Sequence, residues 1–249
     1  MIIIKNDTEI EYMRRAGKVV GDTLAKLEEI VKPGITTREL DRIAEELILK
    51  ENAKPSFKGY YGFPASICAS VNNEVVHGIP NDDIVLQEGD IISVDCGAML
   101  NGYHGDAART FAVGNISSEA EKLIEVTKQS FFNGVEKAII GNRLTDISSS
   151  IQQYVEKFGY SVVRDYVGHG IGRDMHEDPE VPNFGRPGRG PKLIKGMVIA
   201  IEPMVNIGAY HVEVKPNGWT VVTKDNSLSA HYENTVAILE NGPEILTLS

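Results

Sequence analysis

Two aspartates of this chain fall on the two arms of a predicted β-hairpin. Strand-like apolar runs flank Asn101-Gly102, a dipeptide that favours a two-residue hairpin turn. That turn sets Gly97 opposite Asp106, and Asp95 shares a face with Gly97 because side chains alternate along a strand. Asp95 and Asp106 are therefore predicted to be diagonal neighbours. Such a pair needs a shared proton or a bridging divalent cation; the alternative is that one or both point to solvent.

Three further residues have the chemistry of metal ligands. His169 lies in a glycine-rich segment whose backbone can approach a centre closely, although a single loop histidine is more often structural. Glu202 closes an apolar strand, where an unpaired carboxylate is costly. Glu233 lies in an alternating strand and by itself reads as an ordinary outward-facing residue. Four carboxylates and one imidazole favour Mn, Fe, Co or Zn, and they nearly balance the charge of two divalent ions in a two-metal hydrolase.

Other site classes are excluded by spacing. The segment Gly168–Gly172 (GHGIG) lacks both the P-loop ending and the dinucleotide-binding spacing, and His176-Glu177-Asp178 is not the HExxH motif of zinc proteases. Of the six histidines, three are candidates for chemistry, and the other three are interpreted as strand or surface residues. The candidates are His77, His169 and His176, and the remaining three are His104, His211 and His231.

Capping signals and apolar periodicity predict two pairs of helices. Asn6–Glu9 and Thr36–Glu39 resemble capping boxes that open the first pair, while Ser118 and Thr145 are expected to cap the second. A short apolar strand that ends in a carboxylate follows each pair, at 88–95 and 195–202. This repetition predicts an α+β fold with an internal duplication, although any α+β protein can show such coincidences. We expect one catalytic domain, 1–249, with approximate halves 1–115 and 116–249.

Composition limits the kinds of binding partner and the cellular setting that are expected for this chain. The net charge of −10 argues against nucleic acid as a partner, because neutralising phosphates needs a basic patch. The two cysteines form neither a CxxC pattern nor a disulfide framework, which predicts reduced thiols and an intracellular, cytoplasmic setting. Neither a signal peptide nor a membrane-spanning run is expected.

Five segments carry a resemblance to a known family. They are Gly59–Pro80, Gly89–Gly114, Gly168–Pro179, Gly196–Val205 and Ala230–Val236. Together with the flanking helices they make the chain closely similar to the bacterial type I methionine aminopeptidases. The resemblance implies a pita-bread fold, in which two pseudo-symmetric halves of helices pack on a curved antiparallel sheet. It also implies metal-dependent removal of the initiator methionine from nascent proteins with a small second residue, by a monomer in transient proximity to the ribosome.

The resemblance assigns roles by position. It implies that two divalent ions (Co, Mn, Fe or Zn) are bound by Asp95, Asp106, His169, Glu202 and Glu233. It implies that the catalytic residues are His77, His176 and Glu202. It implies a methionine pocket formed by Tyr60, Phe63, Cys68, Met175 and Trp219, and a monovalent cation site formed by Asn72, Glu74 and Ser229.

The sequence departs from the family pattern at a few positions. Phe63 stands where some relatives carry Tyr, Met175 where some carry Phe, Val76 where some have Cys, and Asn234 where His is common. None of these removes a predicted ligand. Three rival interpretations remain: a prolidase or aminopeptidase P, a non-catalytic pita-bread protein that binds peptides, histones or ribosomes, and an acidic metal-buffering protein.

Overall fold

Two of the helices begin where the sequence predicts. The fold is given by a computed structural model, which describes residues 1–248. Asn6 and Glu9 form a reciprocal capping box at the first helix, and the Thr36 hydroxyl accepts the Glu39 N–H at the second. The helices of the described chain are α1 Asp7–Ile30, α2 Thr37–Lys50, α3 Ser118–Val135 and α4 Leu144–Glu156.

The predicted caps of the second pair are each wrong by one or two residues. Ser117, not Ser118, caps α3 by accepting the Ala120 N–H. At α4 the residue before the helix is Arg143, whose N–H donates to Asp146. Thr145 lies inside the first turn, and its hydroxyl bonds both the N–H and the carbonyl of Arg189. A distant loop therefore uses the hydroxyl that the sequence assigns to the cap.

All paired strands run antiparallel. The strands of the first half are β1 Lys54–Pro55, β2 Ile67–Val71, β3 Glu74–Val76, β4 Ile91–Leu100 and β5 Tyr103–Ala112. Those of the second half are β6 Ser161–Val162, β7 Gly168–Gly170, β8 Glu177–Val181, β9 Val198–Ile201, β10 Met204–Asn206, β11 Val212–Val214, β12 Val221–Thr223, β13 Ser229–His231, β14 Glu233–Leu239 and β15 Gly242–Ile245.

The strands form one large sheet and two small ones. The large sheet has the order β1-β4-β5-β14-β9-β7-β8, with β2 added to β4 and β15 added to β14. The two three-stranded sheets have the orders β13-β10-β6 and β11-β12-β3.

Each helix pair buries its apolar stripe against its own part of the sheet. The first core joins Leu27 and Leu40 of the helices to Ile92 of β4. The second joins Phe131 of α3 to Val236 of β14. Each fully buried side chain of this size contributes about 1.5–3 kcal/mol to the free energy of folding. The two cores therefore stabilise the sheet on which the predicted site residues lie. The boundary of the two halves near residue 115 remains a prediction.

Among the described residues, no helix has the length and apolarity that a membrane span requires.

A buried ion pair fastens the N-terminal arm, residues 1–6, to the second half. Lys5 Nζ lies 2.5 Å from Glu177 Oε2, and both side chains are only 3% exposed. The other oxygen of Glu177 accepts the N–H of Arg173 at 3.0 Å, which orders the loop before β8. The Lys5 N–H donates to the Gly196 carbonyl. The pair thus joins the arm, the loop and β8.

Replacing Lys5 by Met should destabilise the metal-free protein by about 3–5 kcal/mol, because Glu177 would be left as an uncompensated buried charge. Urea unfolding measures this loss. Lys18→Met is the matched control, since the Lys18–Asp22 pair is 71% and 51% exposed and should contribute less than about 1 kcal/mol. Equal, small losses in the two variants would contradict the role of the buried pair.

Candidate active site

The β4–β5 hairpin sets the two aspartates as predicted. Gly97 pairs with Asp106, and Asp95 pairs with Ala108, so the diagonal arrangement is confirmed. The turn residues Asn101 and Gly102 have φ of 54° and 79°, the left-handed values that an Asn-Gly turn provides. Asp106 is 3% exposed. The hairpin therefore holds two carboxylates close together and largely away from water.

Glu233 joins them from the neighbouring strand. Ala108 of β5 pairs with Asp95 on one side and with Glu233 on the other. The three residues thus form a row across β4, β5 and β14, in which the small Ala108 side chain leaves space between the two carboxylates. Glu233 is 1% exposed, so the outward-facing alternative is wrong.

His169 and Glu202 complete the predicted group. His169 of β7 pairs with Ala200 of β9, and Glu202 follows that strand. His169 Nε2 lies 3.5 Å from Glu202 Oε1 and 3.7 Å from Asp106 Oδ2. His169 Nδ1 donates to the Gly170 carbonyl at 2.8 Å, which leaves the Nε2 lone pair facing the carboxylates. This tautomer is the one that a metal-ligating histidine needs.

A sixth residue lies in the same cluster. Two groups of three potential ligands have their donor atoms within 4.8 Å of one another: Asp95, His231 and Glu233, and Asp106, His169 and Glu233. His231 is 1% exposed, so its interpretation as a strand or surface residue misses its burial in the site. One signal was present, because His231 lies two residues before Glu233 and alternation can place both on one face.

Burial strongly perturbs the ionisation of this group. Removal from water raises the pKa of Asp95 to about 7, and it raises the pKa values of Asp106, Glu202 and Glu233 well above the ordinary range. The charge of Asp95 further raises the pKa values of Asp106 and Glu202. Burial lowers the pKa of His169 to about 3. Both effects favour neutral groups in the metal-free protein.

The unsatisfied atoms of the cluster fit divalent ions. Four buried atoms that could bind a metal have no hydrogen-bond partner: Asp95 Oδ1, Asp106 Oδ1, Glu233 Oε1 and His231 Nε2. A buried acceptor without a donor costs about 1–3 kcal/mol, and a cation satisfies several at once. Carboxylate oxygens mixed with imidazole nitrogen are the ligands of Mn, Fe, Co and Zn.

The four carboxylates and His169 line a cavity of about 240 Å³. Of the predicted pocket residues, Tyr60, Phe63, Cys68 and Trp219 line this cavity. Met175 lies in the apolar cluster behind them and is 2% exposed. Phe57 and Tyr61 also line the cavity, and neither was predicted.

Both predicted catalytic histidines reach the cavity wall. The Nδ1 atom of His176 lies 2.9 Å from the Tyr60 hydroxyl, and its ring centre is 4.3 Å from that of His169. His77 meets the Tyr166 ring edge-to-face, and burial lowers its pKa to about 4. Two separate chain segments, one with His77 and one with His169 and His176, therefore bring three histidines to the same cavity.

The three residues predicted to bind a monovalent cation also come together. The Asn72 carbonyl accepts the Ser229 N–H at 3.0 Å. One oxygen of Glu74 accepts the Val71 N–H, and the other lies 2.6 Å from Lys215 Nζ. An ammonium group of the chain thus already pairs with Glu74, and cation binding here stays a prediction.

Comparison with known proteins identifies the family. Residues 11–240 match the description of metallopeptidase family M24. The chain belongs to this family. It is 76% identical over 248 residues to a methionine aminopeptidase of Clostridium acetobutylicum, and this match covers 100% of this chain and 99% of that protein. It is 56% identical to methionine aminopeptidase 1 of Bacillus subtilis, covering 99% of each chain.

Solved structures of M24 proteins agree. A crystal structure of a methionine aminopeptidase from Thermotoga maritima superposes with a TM-score of 0.99 at 48% identity and covers 100% of both chains. A prolidase from Pyrococcus furiosus gives 0.80 at 26% identity, and the match covers only 66% of that chain. The resemblance to the type I methionine aminopeptidases and the pita-bread fold are therefore confirmed. As a metallopeptidase, this M24 chain uses divalent metal ions.

Asp95→Asn should stabilise the metal-free M24 protein by about 1–3 kcal/mol at pH 8, because it removes one buried charge. The folded-state pKa is raised, so ionising Asp95 costs stability progressively as pH rises from 3.8 to about 7. The gain over the unsubstituted protein should therefore grow through this window. Urea unfolding of metal-free protein across pH measures it.

Saturating Co²⁺ is the control for this measurement. With metal bound, the same substitution should destabilise, because a carboxylate ligand is lost. An Asp95→Asn protein that is less stable at every pH without metal would contradict the repulsion among these carboxylates.

Proposed function

We propose that this chain is a metal-dependent methionine aminopeptidase that releases the N-terminal methionine from substrates with a small second residue. The observation that carries the proposal is the cavity itself. Its lining combines four carboxylates and three imidazoles with aromatic rings and the Cys68 side chain. A hydrolytic centre therefore adjoins a slot suited to a thioether side chain.

The metal-binding residues in this proposal are Asp95, Asp106, His169, Glu202 and Glu233. When bound, two divalent ions polarise the scissile carbonyl and lower the pKa of a coordinated water. The donor set is compatible with Co, Mn, Fe or Zn. The support is that all five side chains line one cavity, and that buried oxygens of Asp95, Asp106 and Glu233 lack any other partner.

His176 and Tyr60 act as a pair toward the substrate carbonyl. When the Tyr60 hydroxyl donates to Nδ1 across their 2.9 Å contact, Nε2 carries the proton. That N–H can donate to the oxygen on which negative charge develops. Partial removal from water lowers the pKa of His176, so the ring acts as a neutral donor at neutral pH.

His77 and Glu202 act on the nitrogen of the scissile amide. His77 has a φ of 59°, in the left-handed region, and the Thr220 hydroxyl donates to its carbonyl at 3.3 Å. This fixed backbone aims a neutral imidazole at the cavity, where it contacts the amide nitrogen. Glu202 has a raised pKa and carries a proton from the attacking water to the departing amine.

The pocket selects methionine by shape and polarity. The Phe63 and Trp219 rings meet edge-to-face at 5.2 Å, and Met175 packs behind Phe63 and Cys68. A flexible thioether makes favourable contacts with aromatic rings and sulfur. The substrate's free amine would be a further nitrogen ligand for one of the ions, which would favour cleavage at N-termini over internal bonds.

The cellular part of the proposal rests on the resemblance alone. It places the enzyme in the cytoplasm, as a monomer, with nascent chains leaving the ribosome as substrates. A non-catalytic role is disfavoured, because the five ligand residues and two histidines converge on one cavity.

Metal-stripped protein supplied with Co²⁺ or Mn²⁺ should release methionine from Met-Ala-Ser and leave Leu-Ala-Ser and Ala-Pro-Ser intact. Peptide cleavage followed by chromatography checks this. Cleavage of Ala-Pro-Ser would move the activity to the prolidase branch of the family. Bound metal without cleavage of any peptide would favour a binding protein.

His176→Ala should lower kcat by about 10²–10³, the typical loss when a donor to a developing oxyanion is removed. KM and the number of bound metal ions should change little. His211→Ala is the control, since His211 is exposed and stacks only on Tyr210. A kcat within about threefold of the unsubstituted enzyme would remove His176 from the mechanism.

A further inference from the structure

His231 is a buried imidazole that none of the roles above uses. It is the last residue of β13, and its backbone is fixed on both sides. Its N–H donates to the Thr110 hydroxyl at 2.9 Å, and that hydroxyl donates back to the His231 carbonyl at 2.9 Å. Met204 of β10 pairs with it on the other edge. The direction of the side chain is therefore built into three strands.

The ring nitrogen of His231 points at carboxylates without bonding to them. Nε2 lies 3.7 Å from Glu202 Oε2 and 3.7 Å from Glu233 Oε2. These separations are too long for direct hydrogen bonds. The atom has no other partner among the described residues, although its side chain is only 2% exposed. Two ligand atoms about 2.0–2.2 Å from one tetrahedral ion lie roughly 3.4 Å apart, which is close to what is observed.

The two imidazoles of the cluster are arranged alike. Glu202 Oε1 lies 3.5 Å from His169 Nε2, and Glu202 Oε2 lies 3.7 Å from His231 Nε2. The carboxylate of Glu202 thus stands between the two rings. Each of the two groups of potential ligands contains one aspartate and one histidine, and both share Glu233.

We propose that His231 is a second imidazole ligand, so that each divalent ion of the site has one nitrogen donor. This inference rests on the metal binding in the proposed function. It gives the ion near Asp95 and Glu233 an imidazole ligand, in addition to its carboxylate ligands. Nitrogen donors favour Co²⁺ and Zn²⁺ over Mn²⁺ at both positions, whereas five ligands with a single imidazole would favour them at one.

The test compares His231→Gln with His211→Gln by titrating Co²⁺ into metal-stripped protein, using calorimetry and the visible absorption of bound cobalt. In His231→Gln, one of two bound ions should weaken at least about tenfold, and its absorption spectrum should change. The other ion should keep its affinity. The melting temperature of the metal-free variant should not fall, because the imidazole has no partner to lose. His211→Gln should behave as the unsubstituted protein.

Each other outcome counts against the inference. Unchanged affinity for both ions, equal weakening of both, or a lower metal-free melting temperature would show that His231 is not a ligand, or that its role is structural. Failure of the proposed function looks different. In that case the unsubstituted protein itself would bind no Co²⁺ or would release no methionine.

Discussion

Four carboxyl groups lie together in the site with little access to water, and the rest of the structure must keep them there despite their repulsion. Charges of one sign in a space with little water repel strongly, and burial raises all four pKa values. No lysine or arginine lies within 4.0 Å of them among residues 1–248. The rest of the chain must hold this arrangement in place, and two apolar cores on separate helix pairs do so from outside the sheet.

Arg109 illustrates how the chain keeps its own cations out of the site. Its guanidinium is buried beside β14, yet it bonds the Glu233 carbonyl at 2.6 Å and Asn234 Oδ1 at 2.7 Å, and it stacks on Tyr232. It therefore orients the strand that carries Glu233 without forming an ion pair with that carboxylate, although its charge offsets a small part of the rise in the pKa of Glu233. The same contacts explain the departure at Asn234, since its oxygen also accepts the Thr247 hydroxyl at 2.9 Å. An amide acceptor at this position connects Arg109 to the C-terminal segment.

The sequence predicts those features of the site that are set by residues close together in the chain, and it misses those that depend on contacts with remote residues. The relation of Asp95 to Asp106 is predictable because a two-residue turn sets the register and alternation sets the face. The cap at Thr145 is not, because a hydroxyl that suits a cap is taken by Arg189, which is remote in sequence. His231 is missed for a similar reason. Its burial comes from β10 and Thr110, and its two-residue spacing from Glu233, the one local signal, does not tell whether that face is enclosed.

The site lies where a strand of the first half pairs with a strand of the second half. Strands β5 and β14 pair at only two positions, Glu233 with Ala108 and Asn234 with Ala107. Beyond them a side chain continues the connection, because the Thr235 hydroxyl accepts the Asp106 N–H and donates to the Asp106 carbonyl, each at 3.0 Å. The hairpin of the first half supplies two aspartates, and the second half supplies the glutamates and His169. In the proposed function, ions held by both sets would cross-link the halves at this short strand pairing. The repulsion that makes the metal-free cluster costly would then also be the reason that bound ions join the two halves.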